Sequence, residues 1–359
     1  MGPRLMILAG GTGGHVFPAL AVAHLACDRG WSVSWLGTRA GLEARIVPQQ
    51  GYPLDVMTVS GLRGKHVTEL LAAPPRLARA VWQAGRVLRR RRPDVVLGMG
   101  GFVAGPAAVM AVLHRVPLVI HEQNRVPGLT NRWLARIADQ VFEAFPESFP
   151  AARRARVCGN PVRADIVALP PPAQRFADRR GPPRLLVLGG SLGAKALNEA
   201  VPAALARMPV SERPEVRHQC GDRTIDLARR AYEAVGVKAD LVSFIDDMAQ
   251  AYEWADLVIG RAGALTVSEL AAAGVGAILV PYPFAVDDHQ AANAQFLAEA
   301  GAARMVRQSD LTVAGLAELL TLLLADRQAL LTMAEAARAR AEPNAARRIL
   351  DACGEVRRR

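Results

Sequence analysis

The residues best suited to chemistry are two glycine-rich turns, Gly10-Gly11-Thr12-Gly13-Gly14-His15 and Gly189-Gly190-Ser191-Leu192-Gly193-Ala194. Each follows a short apolar run (residues 5–9 and 185–188) and opens into a stretch with helical periodicity. A strand, a glycine turn and a helix N-terminus together form an anion site. Glycine lets the backbone approach closely, while unpaired N–H groups and the helix dipole favour negative charge. One such unit at the head of each half predicts two similar α/β domains facing each other, with a phosphate-bearing ligand in the cleft. His15 closes the first turn, where an imidazole could take a proton near neutral pH or simply pack as a cap on its helix. Glu122, in the run His121-Glu122-Gln123-Asn124, is a second candidate base. Asp287-Asp288-His289 has the residue types of a metal cluster, but adjacent acids on a loop are more often solvated. No metal or other cofactor is expected.

The elements that must position these groups alternate along the whole chain. Strand-like runs fall at 5–9, 32–36, 94–97, 118–121 and 140–142, and again at 185–188, 216–219, 241–244, 257–259 and 277–280. Helical stretches such as 18–29 and 70–92 lie between them. This alternation predicts an α/β fold of two doubly wound parallel sheets covered by helices. Residues 95–113 carry no charge and are long enough to suggest a membrane span, but Gly98, Gly100, Gly101, Gly105 and Pro106 divide them into a strand, a turn and a helix. Asn160-Pro161 and the proline clusters at 170–172 and 182–183 mark a stiff, poorly helical connector. The expected domains are 1–161 and 162–343. A basic helix over 344–359 is expected to pack back on the first domain.

Composition narrows the partners. A net charge of +11, carried almost wholly by arginine, favours anionic partners such as a nucleotide, a diphosphate or a lipid surface. Charge alone also prompts a nucleic-acid binder, but no recognition motif supports it. Cys27, Cys158, Cys220 and Cys353 lack metal-site or disulfide-framework spacing, which suits a reducing cytoplasm. No signal peptide is expected ahead of the first strand. The first turn lacks clean G-x-G-x-x-G spacing, and the second strand-like run meets no acid until Glu43, so a dinucleotide site is disfavoured. Gly193 is followed by Ala194-Lys195, so the Walker lysine motif is absent too.

Seven stretches occur in an order that resembles one family. They are GGTGGHVFPALAVA from Gly10, GMGGFVAGP from Gly98, HEQN from His121, GNPVR from Gly159, GGSLGA from Gly189, RAGALTVSEL from Arg261 and DHQAANA from Asp288. On these motifs the chain resembles the MurG family, the UDP-N-acetylglucosamine:undecaprenyl-diphospho-muramoylpentapeptide N-acetylglucosaminyltransferases. Gly260 and Ala262 stand where many relatives carry cysteine and serine. The resemblance implies a GT-B fold with an N-terminal lipid-acceptor domain and a C-terminal sugar-nucleotide domain. It also implies inverting transfer of GlcNAc from UDP-GlcNAc to the MurNAc 4-hydroxyl of lipid I, giving lipid II and UDP.

Such a reaction needs a base for the acceptor hydroxyl and stabilisation of the departing diphosphate. Ser191 and the amides of residues 190–194 are assigned to the donor diphosphate, and Gly11, Gly13, Gly14, Gly100 and Gly101 to the acceptor diphosphate. By resemblance, Glu269 bonds the uridine ribose within the motif Ala264-Leu265-Thr266-Val267-Ser268-Glu269, and Ile245 reads uracil through its backbone. Gln290 matches a residue contacting the sugar hydroxyls, with Asn293 one turn later. Arg163, Asn124 and the turn Thr12-Gly13-Gly14 are further donor contacts.

Leu77, Val81, Trp82 and Leu88 are spaced to share a helix side, flanked by arginines that include Arg79, Arg86 and Arg89. This basic amphipathic stretch suits an anionic membrane surface, although a core-facing helix with a charged outer face is commoner. Peripheral binding at the cytoplasmic face of the bacterial membrane is expected, with cell-wall synthesis proteins as further partners and no nucleic acid. The competing readings are a UDP-GlcNAc 2-epimerase of the same fold and a non-catalytic nucleotide-sugar or lipid-carrier binding protein.

Overall fold

The computed structural model describes residues 2–58, 73–190 and 193–357. Ser191, assigned above to the donor diphosphate, and residues 70–72 of the expected second helix lie outside the described residues. The chain forms two compact units, Met1–Arg163 with Glu342–Arg359, and Ala164–Ala341.

In the first unit the strands are β1 (Arg4–Leu8), β2 (Ser32–Thr38), β3 (Leu54–Met57), β4 (Val95–Gly98), β5 (Leu118–Glu122), β6 (Gln140–Glu143) and β7 (Arg156–Val157). They form one parallel sheet in the order β3-β2-β1-β4-β5-β6-β7. β1 reads Leu-Met-Ile-Leu after Arg4 because both of its faces are covered. Leu5 and Ile7 pack with Ala19, Ala23 and Trp35, whereas Met6 and Leu8 join Ala80, Ala84 and Ala108 on the other side. Helix Ala345–Arg357 returns to this unit and lies on helix Gly13–Asp28. It adds Ile349, Leu350, Cys353 and Val356 to the first of those cores, each large aliphatic contributing about 1.5–3 kcal/mol of burial.

In the second unit β8 (Arg184–Leu188), β9 (Glu215–Gln219), β10 (Asp240–Val242), β11 (Leu257–Gly260), β12 (Gly276–Leu279) and β13 (Ala303–Met305) form a parallel sheet in the order β10-β9-β8-β11-β12-β13. Leu185, Val187, Leu257, Ile259 and Ile278 meet helices Lys195–Arg207 and Val313–Leu324 in its core.

Both sheets reverse their winding direction at a single place. In the first unit it lies between β1 and β4, in the second between β8 and β11. Open α/β sheets bind ligands outside the strand C-termini at such a switch point. The turns after β1 and β4 flank one, and those after β8 and β11 flank the other.

Several expectations change. The proline-rich stretch is more than a stiff, poorly helical connector: it carries helices Ala164–Val167 and Pro172–Ala177 within the second unit. Pro172 stands at the start of its helix, where the missing N–H would have had no intrahelical acceptor. Arg175 then donates to the carbonyls of Tyr252, Ala273 and Gly274, fastening this helix to two others. The strand expected over 241–244 ends at Val242, leaving Phe244 exposed in a loop. Leu88 turns into the core with Ala80 and Ala84 and Val81 is half-buried, so among the described residues Leu77 and Trp82 are the exposed large apolar side chains of helix Ala73–Arg91.

Candidate active site

The N-terminal site is built where three loops meet. Gly11 (φ +98°), Gly100 (φ +96°) and Gly101 (φ +86°) all occupy the left-handed region that favours glycine. A Cβ on Gly101 would lie 2.4 Å from the carbonyl oxygen of Gly10, and one on Gly100 would lie 2.7 Å from Nδ1 of His15. The loop after β4 therefore abuts both the first glycine turn and the imidazole it carries.

Glu43 sets the first turn from beneath. Its side chain is buried, with Oε2 accepting from Gly11 N (2.9 Å) and Oε1 from Thr38 N (2.8 Å) and Thr38 Oγ1 (2.7 Å). The Gly11 amide is thus committed to a carboxylate and leaves the set of diphosphate donors. The amides of Gly13 and Gly14 stand in the first turn of helix Gly13–Asp28, where no intrahelical acceptor exists. Thr12 is exposed at the N-cap of that helix and makes no side-chain cap bond.

His15 is half-buried, and its Nδ1 lies 3.1 Å from Oε1 of Gln123. The buried Gln123 donates through Nε2 to the carbonyl of Met99 (2.8 Å) and lies 3.2 Å from Nδ1 of His121. His121 is fully buried, and its Nε2 lies 2.9 Å from the carbonyl of Gly159. Burial holds the His121 pKa down at about 4, against the opposing bond to Gly159, so this ring is neutral at physiological pH. Asn160 donates to the Gln123 carbonyl (3.0 Å), so the GNPVR stretch braces the HEQN stretch.

Glu122 occupies a different role from its neighbours. Its Oε1 accepts from Asn124 N (2.9 Å) and Asn124 Nδ2 (3.3 Å), and its Oε2 from Gly128 N (3.1 Å) and Asn131 Nδ2 (2.9 Å). A carboxylate has about four acceptor positions, and all are in use here. Glu122 is therefore a clamp for the 124–131 loop rather than a free base, and the Asn124 amide is directed at it. Arg163 closes this unit in a half-buried position.

The C-terminal site gathers at the other switch point. Gly190 (φ +77°) and Gly193 (φ +78°) shape the turn after β8. A Cβ on Gly193 would lie 2.0 Å from Oγ1 of Thr224. Gln219 ties this turn to the loop containing Ile245: its Oε1 accepts from Gly190 N (2.9 Å), while Nε2 donates to the carbonyls of Gly190 (3.0 Å) and Ser243 (2.8 Å). Ile245 itself is half-buried.

Glu269 is buried on helix Ala264–Ala273 and accepts a hydrogen bond from the Tyr252 hydroxyl (3.0 Å). Along the first turns of that helix Ala264 and Val267 are buried, while Leu265, Thr266 and Ser268 are half-buried. Ser268 Oγ bonds the Ala264 carbonyl (2.9 Å). Gln290 accepts from Tyr282 N through Oε1 (2.9 Å). Asn293 is buried and donates to the carbonyl of Ala262 (3.2 Å), which makes it a support for the 260–263 loop. Asp288 pairs with Arg307, and no metal-ligating group of three occurs among the described residues. Sequence reasoning passed over Glu43, Gln123, Gln219 and Tyr252 as site residues. Only Gln123 carried a signal, through its place in HEQN.

Comparison with known proteins shows the family and the fold. Residues 5–143 match the glycosyltransferase family 28 N-terminal domain, and residues 184–349 the family 28 C-terminal domain. The chain is 55% identical over 353 residues to a UDP-N-acetylglucosamine--N-acetylmuramyl-(pentapeptide) pyrophosphoryl-undecaprenol N-acetylglucosamine transferase of Marinobacter nauticus, covering 98% of this chain and 97% of that one. The chain belongs to the MurG family. Among solved structures, MurG of Acinetobacter baumannii superposes with a TM-score of 0.86 at 42% identity, covering 98% of this chain and 99% of that one. This is a GT-B glycosyltransferase fold. UDP-GlcNAc 2-epimerase of Neisseria meningitidis superposes with a TM-score of 0.66 at 12% identity, covering 98% and 100%, a likeness of fold alone.

Proposed function

We propose that the chain transfers GlcNAc from UDP-GlcNAc to the 4-hydroxyl of the N-acetylmuramyl group of undecaprenyl-diphospho-MurNAc-pentapeptide, releasing UDP and forming lipid II for peptidoglycan. The observation that carries this reading is the 55% identity to a transferase of that name over nearly the full length of both chains. The acceptor oxygen attacks the anomeric carbon of GlcNAc from the face opposite the diphosphate. The C1–O bond to UDP breaks, and the configuration inverts. The hydroxyl proton passes to His15, the imidazole at the meeting point of three loops.

In this reading the N-terminal unit holds the lipid acceptor, with Gly13, Gly14 and the Gly100-Gly101 loop facing its diphosphate. The C-terminal unit holds the donor. Glu269, oriented by Tyr252, receives the ribose hydroxyls; the Gly190–Gly193 turn receives the diphosphate; the Ile245 backbone reads uracil. Gln290 contacts the sugar through its Nε2 donors, its Oε1 being taken by Tyr282 N.

Membrane attachment falls to the N-terminal unit. Leu77 and Trp82 are exposed on helix Ala73–Arg91, and Leu113, Leu129 and Trp133 are exposed on helices Ala104–Leu113 and Leu129–Leu134, which pack in series beside it. The Arg86 guanidinium lies 5.7 Å from the Trp82 ring and that of Arg136 4.2 Å from Trp133. Aromatics paired with arginine suit the interfacial layer of an anionic bilayer, and Arg89 adds charge nearby. No helix among the described residues is long and apolar enough to cross a membrane. The attachment is peripheral, at the cytoplasmic face, where other cell-wall synthesis proteins can take up the product.

The test is incubation with labelled UDP-GlcNAc, with and without a lipid I analogue. Acceptor-dependent UDP release with a β-1,4-linked disaccharide product is expected. Formation of ManNAc without acceptor would instead make the chain an epimerase.

A further inference from the structure

We infer that Gln123 is a positioning residue that fixes the tautomer of His15, placing the proton on Nδ1 and leaving Nε2 as the base. The inference rests on the reading of His15 as proton acceptor and adds to it which nitrogen does the work and what enforces it.

Two backbone carbonyls determine every proton in the chain of hydrogen bonds. The Met99 carbonyl can only accept, so the Gln123 group 2.8 Å away must be its NH2, and its oxygen must face His15. The Gly159 carbonyl can only accept, so the His121 nitrogen 2.9 Å away, Nε2, must carry a proton. His121 is fully buried and neutral, so its Nδ1 has a lone pair and accepts the second hydrogen of the Gln123 amide at 3.2 Å. The amide oxygen is then left to accept, and the group 3.1 Å from it is Nδ1 of His15. Neutral His15 consequently carries its proton on Nδ1. Its other nitrogen, Nε2, is the one with a lone pair for the acceptor hydroxyl.

The surroundings keep this arrangement in place. Gln123 is buried, so no solvent competes for its oxygen. Gly100 lies so close to Nδ1 that any side chain there would displace the ring. The other titratable groups on the packed elements face elsewhere. Glu122 is saturated by the 124–131 loop, and Glu43 by Gly11 and Thr38. The orienting acceptor is a neutral amide. It sets the direction of proton transfer without adding a negative charge beside the imidazole.

The first test needs no substitution. Nitrogen-15 shifts of the imidazole of His15, assigned by comparison with His15→Ala, are expected to show Nδ1 protonated and Nε2 unprotonated in the neutral ring. A protonated Nε2, or rapid averaging between the two tautomers, overturns the inference. The second test is kinetic. Gln123→Met keeps the length of the side chain but removes the acceptor, and should lower kcat about 10–100-fold with the KM for UDP-GlcNAc unchanged, by analogy with the loss of partners that orient metal-ligating histidines. Gln123→Glu keeps an acceptor towards His15 but loses the NH2 given to Met99 and His121; buried there it is held protonated, its hydroxyl serving the Met99 carbonyl, and should recover much of the kcat lost in Gln123→Met. Wild-type kcat in Gln123→Met, or a kcat in Gln123→Glu no higher than in Gln123→Met, contradicts the assignment. Should His15→Ala itself turn over at the wild-type rate, the base reading fails, and the nitrogen-15 shifts still decide the tautomer.

Discussion

Glu122→Gln separates the two acid–base readings of the N-terminal unit. The native carboxylate serves the Asn124 donors through one oxygen and Gly128 N with Asn131 Nδ2 through the other. An amide offers one oxygen, so one pair of donors must meet an NH2 group. With the oxygen kept on the Asn124 side, Asn131 can turn its own amide to meet the new donor. Its Oδ1 is buried without a hydrogen-bond partner, so an acceptor is at hand, at the expense of the Nδ2 bond to the His121 carbonyl. Gly128 N then remains opposed by a donor. Two charge-assisted bonds at ~1.5–3 kcal/mol each are lost, and the neutral bond regained at Asn131 only offsets its lost bond to the His121 carbonyl, a net destabilisation of about 3–6 kcal/mol. Urea unfolding followed by tryptophan fluorescence measures it, because Trp31, Trp35, Trp82 and Trp133 lie in that unit and Trp254 in the other. The clamp reading expects this loss of stability, a fall in kcat under about 10-fold, and an intact acid-side limb of the rate profile. Unchanged stability, with kcat down about 10²–10⁴-fold and the limb gone, would make Glu122 the base and refute the reasoning.

Three further outcomes follow from other parts of the structure. Glu269→Ala should raise the donor KM about 10–100-fold and relax discrimination against altered ribose, since a bond to a charged acceptor is worth ~1.5–3 kcal/mol; initial rates with UDP-GlcNAc and its 2′-deoxy form check this. Replacing Leu77 and Trp82 with serine should weaken flotation with anionic vesicles while leaving turnover of a short-chain soluble acceptor intact, and raised salt should weaken it further. Burial lowers the His218 pKa to about 3, so between pH 6.5 and 3 the unfolded chain holds a proton that the native chain does not, and stability falls as pH falls. His218→Phe should therefore lose about 2 kcal/mol less than wild type between pH 7 and pH 5, read from urea midpoints.

The central strands were legible because their environment is uniform. β1, β4, β8 and β11 are covered on both faces, so they read as apolar runs wherever they lie in the chain. The strands that escaped notice sit at or near sheet edges. β3 reads Leu-Asp-Val-Met, with Asp55 drawn inward to Arg90 and Arg91, and β13 carries an exposed Arg304. Each breaks the apolar pattern for a reason supplied by another element.

The amphipathic helix shows the same limit. Spacing grouped Leu77, Val81, Trp82 and Leu88, but the face turned inward is decided by Ala80 and Ala84, whose small side chains let helix Ala104–Leu113 approach. In the site, motifs identified His15 and Glu122 by residue type, whereas their roles depend on partners. Gln123 is 108 positions from His15, and Gly128 and Asn131 reach back to Glu122 from a loop with no chemical signature of its own. Glu43 served in sequence reasoning only as evidence against a dinucleotide site. Its bond to Gly11 shows that it holds the first glycine turn.

The measurement that bears most directly on the account is a single-turnover comparison of wild type and His15→Ala, with donor and a lipid I analogue both saturating. If His15 takes the proton of the acceptor hydroxyl, the chemical step slows by about 10²–10⁴-fold, donor affinity is nearly unchanged, and the acid-side limb of the rate profile disappears. An unchanged single-turnover rate, or the same limb persisting in the variant, would contradict it.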